Sequence, residues 1–122
     1  MVTLVDDPAA TEFEALLGSH RTVVVDFYAT WCAPCKQYSP RFAQAARDAR
    51  RKWPDAPVAF VKVDIDRQQA LARRFGVQSV PTTVVLERRK GFLGEKVVEA
   101  ARWSGSLSAP ELQKRFADLA GA

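Results

Sequence analysis

A chain of 122 residues is long enough for one domain with its own core, and a make-up of 48% apolar and 26% charged residues excludes a disordered or fibrous polymer. No apolar run approaches the ~20 residues that cross a bilayer, and Met1–Asp7 lacks the basic and apolar regions of a secretory leader, so the expectation is a single cytoplasmic domain over residues 1–122, or an extracytoplasmic one if a leader has been removed. The net charge is +4, and basic residues are spread over Arg41, Arg47, Arg50, Arg51, Lys52, Arg73, Arg74, Arg88, Arg89 and Lys90 among acidic residues and with no nucleic-acid motif, which predicts a solvated surface rather than a nucleic-acid site; a monomer that binds no membrane is the accompanying expectation.

Strand-like and helix-like segments alternate, which points to the α/β class. Leu4-Val5 reads as a short edge strand. Asp7-Pro8 offers a helix start, with proline tolerated in the first turn, and Thr11 with Glu14 has the spacing of a capping box and offers a second. Phe13, Leu16 and Leu17 give that helix an apolar stripe, which Gly18 is expected to end. Val23–Tyr28 is a nearly continuous β-branched and aromatic run, the pattern of a central strand buried on both faces. Phe42, Ala45, Ala46, Ala49 and Trp53 recur at helical spacing, in a helix that Pro40 is expected to kink. Pro54 and Pro57 mark a loop, and Val58–Val63 reads as a second long strand. Asp66 is placed to cap a helix bearing Ala70, Leu71 and Phe75 and ended by Gly76. Thr82–Leu86 and Glu95–Trp103 read as two further strands, with Glu87–Gly94 as the hairpin connection between them. Ser108 and Glu111 form a capping box for a last helix that turns Leu112, Phe116 and Leu119 inward.

The chemistry lies in Trp31-Cys32-Ala33-Pro34-Cys35, between the central strand and the helix that follows it. A disulfide between cysteines three positions apart closes a tiny loop and constrains little of the unfolded chain, so it is a poor staple. A zinc site needs about four ligands, and the further soft ligand is the lone His20, so a metal would require a second chain. A redox pair fits best, with no metal and no bound cofactor. Cys32 falls at the helix N-terminus, where unpaired N–H groups and the helix dipole favour a thiolate, the nucleophilic form. Cys35 falls one turn further in, close to Cys32 and more buried, placed to attack a mixed disulfide on Cys32. Asp26 is out of character in its strand. An ionised carboxylate among apolar residues is costly and desolvation raises its pKa, so Asp26 is either a paired buried polar group or, being just upstream of the cysteines, part of their chemistry.

The stretch Val23-Val24-Val25-Asp26-Phe27-Tyr28-Ala29-Thr30-Trp31-Cys32-Ala33-Pro34-Cys35-Lys36 resembles the thioredoxin family. The likeness continues through Pro40, Val61–Asp66, Phe75-Gly76-Val77, Val80-Pro81-Thr82, Gly105 and the final amphipathic helix. It implies a central mixed sheet flanked by about four helices, with the active site at the start of the second. It implies a protein-disulfide reductase in which Cys32 attacks and Cys35 resolves. In that role its substrates are disulfide-containing proteins, and a nicotinamide-dependent partner such as thioredoxin reductase recharges it. Asp26 matches the family's buried acid, which moves a proton to or from Cys35. Lys62 matches the lysine near that acid, although a lysine snorkelling from a strand explains it equally simply. Pro81 matches the family's cis-proline beside the cysteines, with Val80 left free to pair with an extended substrate; without the resemblance, a trans proline opening an edge strand is the better expectation. Trp31, Ala33, Pro34 and Gly105 complete the implied substrate rim. Trp53 and Trp103 read as core or loop packing, and His20 as a surface residue.

The chain departs from the common family pattern at several points. Ala33 stands where a glycine is usual, and both Arg51–Pro57 and the Glu87–Trp103 hairpin are longer than in compact members. Phe27-Tyr28-Ala29 also resembles protein disulfide isomerase domains, but Pro34 stands where those carry histidine, which favours a reductase over an oxidase. Two alternatives follow: a specialised extracytoplasmic reductase, isomerase or oxidase of the same fold, and a redox-sensing protein-binding module that uses the basic stretches Arg47–Lys52 and Arg88–Lys90.

Overall fold

A computed structural model describes residues 1–121. In chain order the elements are β1 (Thr3–Asp6), α1 (Ala10–Ser19), β2 (Thr22–Tyr28), α2 (Ala33–Lys52), β3 (Val58–Asp64), α3 (Gln69–Arg74), β4 (Thr82–Gly91), β5 (Gly94–Ser104) and α4 (Ala109–Gly121). The strands form one sheet in the order β1-β3-β2-β4-β5. Strands β1, β3 and β2 are parallel, and β4 runs antiparallel to both β2 and β5. The parallel part needs helical crossovers, so helices cover both faces and the central strands are buried on both sides, mostly by apolar residues.

Alternation along β2 divides its side chains between two cores. Val24, with Phe60 and Val85 from the flanking strands, faces Tyr38, Phe42, Ala45, Ala46 and Ala49 of α2 and Leu112 and Phe116 of α4. Val23, Val25 and Phe27 face Phe13, Leu16 and Leu17 of α1 and Leu71 of α3. Asp26 shares its parity with Val24, so the carboxylate is aimed at α2.

Several boundaries differ from the sequence expectation. Helix α1 starts neither at Asp7-Pro8 nor at Thr11; Ala9 precedes it and offers no side-chain cap. Asp7 instead takes a left-handed conformation (φ 49°), and its carboxylate accepts hydrogen bonds from Tyr28 Oη at 2.5 Å and from the Asp64 backbone N–H at 2.8 Å. It ties β1 to the ends of β2 and β3, and that tertiary demand outweighs the local capping signal. Gly18 does not end α1, which runs on to Ser19; the Gly18 carbonyl is occupied by Arg88 Nη1 at 2.6 Å. His20 is half-buried and bridges Thr3 Oγ1 and Ser19 Oγ, each at 2.9 Å, so it joins β1 to the end of α1 rather than standing free on the surface.

Helix α2 continues through Pro40 as one unbroken element and ends at Lys52, with Trp53 as its C-terminal cap. Asp66 does not cap α3, which is preceded by Gln68, and Ala70 faces solvent where Leu71 and Ala72 are buried. Residues 87–94 are not a long loop. The strands pair through Arg88↔Val97, Arg89↔Lys96, Lys90↔Glu95 and Gly91↔Gly94, leaving Phe92-Leu93 as a two-residue turn. The charged sequence hides this strand because the end of the ribbon is exposed and has no apolar face to bury. The Arg88–Glu95 ion pair crosses its ladder, and the Arg89–Glu87 pair runs along β4. The capping box of α4 supplies the Ser108 half, with Ser108 Oγ accepting from Glu111 N–H at 3.3 Å.

Phe116 is the keystone of the α2–α4 core. Its ring lies edge-on to Phe42 at 5.3 Å and against Phe60 at 4.6 Å, fully enclosed. Phe116→Ala is expected to cost about 3–5 kcal/mol, as large core truncations do. Chemical denaturation of the oxidised protein measures this, and a loss below about 1 kcal/mol would show that α4 does not hold the core closed.

Candidate active site

The sheet places the site at the C-terminal ends of its parallel strands. Chain leaving β2 passes through Ala29-Thr30-Trp31 and enters α2 with Cys32 as the N-cap residue and Ala33-Pro34 in the first turn, where proline's missing N–H costs nothing. Cys32 Sγ accepts a hydrogen bond from the Cys35 backbone N–H at 3.2 Å. This is the usual N-cap bond with sulfur in place of oxygen, and the same donor is positioned to stabilise a thiolate. The two cysteines form a disulfide. Cys32 is 4% and Cys35 2% exposed, so the difference in burial is smaller than the sequence suggests.

The other residues singled out in the sequence divide into a rim and an interior. The Val80–Pro81 peptide is cis, and the Val80 carbonyl oxygen lies 3.7 Å from Cys32 Sγ. Gly105 donates its N–H to the Pro81 carbonyl at 2.8 Å and has φ +84°, a conformation that favours glycine. Trp31 is 67% exposed, and Ala33 and Pro34 are exposed beside it. Trp53 and Trp103 sit away from the cysteines, half-buried against the α2–α4 core.

Asp26 lies in the interior with 0% exposure, opposite Lys62 on β3 and Thr83 on β4. Oδ2 accepts from Ser39 Oγ at 2.8 Å, and Oδ1 has no hydrogen-bond partner. Burial pushes its pKa up to about 6, against the opposing pull of the Ser39 hydrogen bond and, more weakly, of the Lys62 charge. Lys62 is half-buried, with Nζ 4.8 Å from the centre of the Tyr28 ring, so it both packs as a snorkelling lysine does and places its charge toward Asp26. Among the described residues, no three His, Cys, Asp or Glu side chains gather as a metal site.

Sequence reasoning missed three polar partners. Ser39 follows Cys35 by four positions, a spacing that puts both on one helix face and was the available signal. Asp66, expected as a cap, accepts instead from Trp31 Nε1 at 2.9 Å and fixes the rim indole. Tyr38 Oη bonds Thr83 Oγ1 at 2.6 Å and accepts from Trp103 Nε1 at 3.2 Å, holding α2 to β4 and β5. These last two pairings join segments far apart in sequence and leave no local trace.

A buried cysteine pair at a helix N-terminus, a cis-proline peptide beside it and a buried acid behind it agree with a profile match to thioredoxin over residues 5–113. The chain belongs to the thioredoxin family. It is 36% identical over 88 residues to a thioredoxin of Mycoplasmoides gallisepticum, covering 67% of this chain and 82% of that protein. It is 40% identical over 86 residues to a thioredoxin of Mycolicibacterium smegmatis, covering 70% and 71%. Among solved structures, a thioredoxin of Malassezia sympodialis superposes with a TM-score of 0.74 at 27% identity, covering 97% of this chain and 91% of that one. Family membership and the cysteine pair make this thioredoxin-family chain a thiol–disulfide oxidoreductase that works by dithiol–disulfide exchange.

The stability of the oxidised protein should carry the imprint of Asp26. Its folded pKa of about 6 lies above its ordinary value of 3.8. The cost of burying it is therefore absent below about pH 4, grows as pH rises to about 6, and is constant above that. Asp26→Asn should remove this slope and stabilise the protein near neutral pH by up to about 3 kcal/mol. Urea denaturation of both proteins across this range is the check, and an unchanged slope in the mutant would mean that another group titrates.

Proposed function

We propose that this protein reduces disulfides in other proteins and is recharged by a nicotinamide-dependent disulfide reductase. The carrying observation is Cys32 itself, the N-cap of α2, with its sulfur held by the Cys35 N–H and facing the Val80 carbonyl. In the dithiol form, the Cys32 thiolate attacks a substrate disulfide and one substrate thiol leaves. Cys35 then gives up its proton and attacks Cys32 Sγ, releasing the second thiol and forming the disulfide seen here. Asp26, behind Cys35, is the acceptor for that proton. An extended substrate segment pairs with the backbone at Val80, flanked by Trp31, Ala33, Pro34 and Gly105, a strand-addition mode that needs no specific side-chain sequence. Pro34 between the cysteines supports the reducing direction.

Turbidity from insulin reduction by dithiothreitol tests the activity. The wild type should accelerate it strongly and Cys32→Ser should not; full activity in Cys32→Ser would sink the assignment. Cys35→Ser should accumulate covalent mixed disulfides with protein substrates, which dithiothreitol releases. Partners that remain bound through both cysteine substitutions and high salt would instead favour a binding module.

A further inference from the structure

The buried acid has no surface of its own through which to exchange a proton. Asp26 is 0% exposed, and among the described residues the hydrogen-bond partner of its side chain is Ser39. Ser39 differs from Asp26 in one decisive respect: it also lines a cavity of ≈ 340 Å³ that opens between α2 and β3, together with Tyr28, Ala29, Cys35, Lys36 and Lys62. This volume accommodates several waters, each occupying about 30 Å³ in the liquid. Cys35 and Ser39 are one helical turn apart on the same face of α2, both open to this cavity, while the carboxylate lies behind the serine.

We propose that Ser39 relays the proton between the Asp26 carboxylate and the cavity onto which Cys35 opens, and so is a positioning residue for the resolving step. The inference rests on the reading that Cys35 resolves the mixed disulfide with Asp26 as its proton acceptor. The relay moves one proton and no electrons. The Cys35 thiol gives its proton to cavity water, that water protonates Ser39 Oγ, and the hydroxyl's own proton passes to Asp26 Oδ2. The Cys35 thiolate then attacks Cys32 Sγ, the bond between Cys32 and the substrate breaks, and its electron pair leaves on the substrate sulfur, which takes a proton from solvent. The hydroxyl has a second effect. As a donor to the ionised carboxylate it opposes the desolvation of Asp26, keeping the acid able to accept and return a proton near neutral pH. Other groups face the same carboxylate: Lys62 from β3, Thr83 from β4, and Tyr38, whose hydroxyl is held by Thr83, from α2. Lys62 attracts from across the strand pair but makes no hydrogen bond to Asp26, which leaves the proton path to Ser39.

The test is rapid-mixing kinetics on the full chain with a disulfide-bonded peptide, following mixed-disulfide formation and release of the second thiol separately from acidic to neutral pH. Ser39→Ala should leave formation by Cys32 unchanged, slow release about ten-fold or more, and move the pH inflection of release upward. Ser39→Thr, which keeps the hydroxyl, should restore most of the rate. Titration of the Asp26 carboxyl by NMR should show the same upward shift in Ser39→Ala and not in Ser39→Thr. Release in Ser39→Ala at the wild-type rate with an unmoved profile overturns the relay, as does an equal slowing of both steps, which signals a general disturbance of α2. An Asp26→Asn control separates the two levels: slow release there beside normal release in Ser39→Ala refutes the relay alone, whereas wild-type release in both refutes the acid's role as well.

Discussion

The molecule is organised around a strand that has no free edge and no free face. Strand β2 is hydrogen-bonded to β3 on one side and β4 on the other, and helices cover it above and below. Any shift of β2 would break two ladders and two cores together, so the peptide that leaves its C-terminal end is fixed in position and direction. The turn that carries Trp31 and Cys32 is therefore presented by a rigid support, and α2 begins where the sheet dictates. The Asp7 carboxylate, bonded to Tyr28 and to the Asp64 amide, stiffens the same end of the sheet from the β1 side.

From that support follow two opposed electrostatic environments a few residues apart. The start of α2 offers N–H groups and a favourable dipole to the Cys32 sulfur, which lowers the cost of negative charge there. The face of β2 beneath α2 buries Asp26 fully and gives its carboxylate one hydrogen bond, from Ser39, so that desolvation raises the cost of negative charge. The helix terminus thus favours negative charge at one residue, while burial opposes it at the other. Protein stability bears the cost, because a carboxylate buried with one oxygen unpartnered is maintained against the core around it.

The parts of this arrangement encoded by local pattern were legible in the sequence. Apolar runs located β2 and β3, the spacing of Phe42, Ala45, Ala46 and Ala49 located α2, and Cys32 and Cys35 were identified by their place between strand and helix. The resemblance to a family supplied the partnership of Asp26, Lys62 and Pro81, which no periodicity reveals. What stayed hidden was encoded between distant segments. Asp66 looked like a cap because its neighbours are helical, yet its carboxylate serves Trp31. Asp7 looked like a helix start, yet it closes a tie across three strands. The segment from Glu87 to Gly94 looked like a hairpin connection because strand patterns are read from buried faces, and the exposed end of this ribbon has none.

The strand order also sets a sequence of events for the newborn chain. Val25 pairs with Val61 on one side and with Val84 on the other, so half of the central strand's backbone bonding waits for a segment made late in synthesis. Until β4 emerges from the ribosome, β1, β2 and β3 can gather into a partial sheet, but one edge of its most apolar strand stays open. Such an edge is a template for the wrong partner, and the long loop closure to β4 makes its sealing slow relative to local helix formation. The same docking event brings the Val80 carbonyl to the Cys32 sulfur. Sealing the edge and bringing Val80 to the cysteine pair are thus one step, and a chain with that edge still open also lacks the contact between the Val80 carbonyl and Cys32.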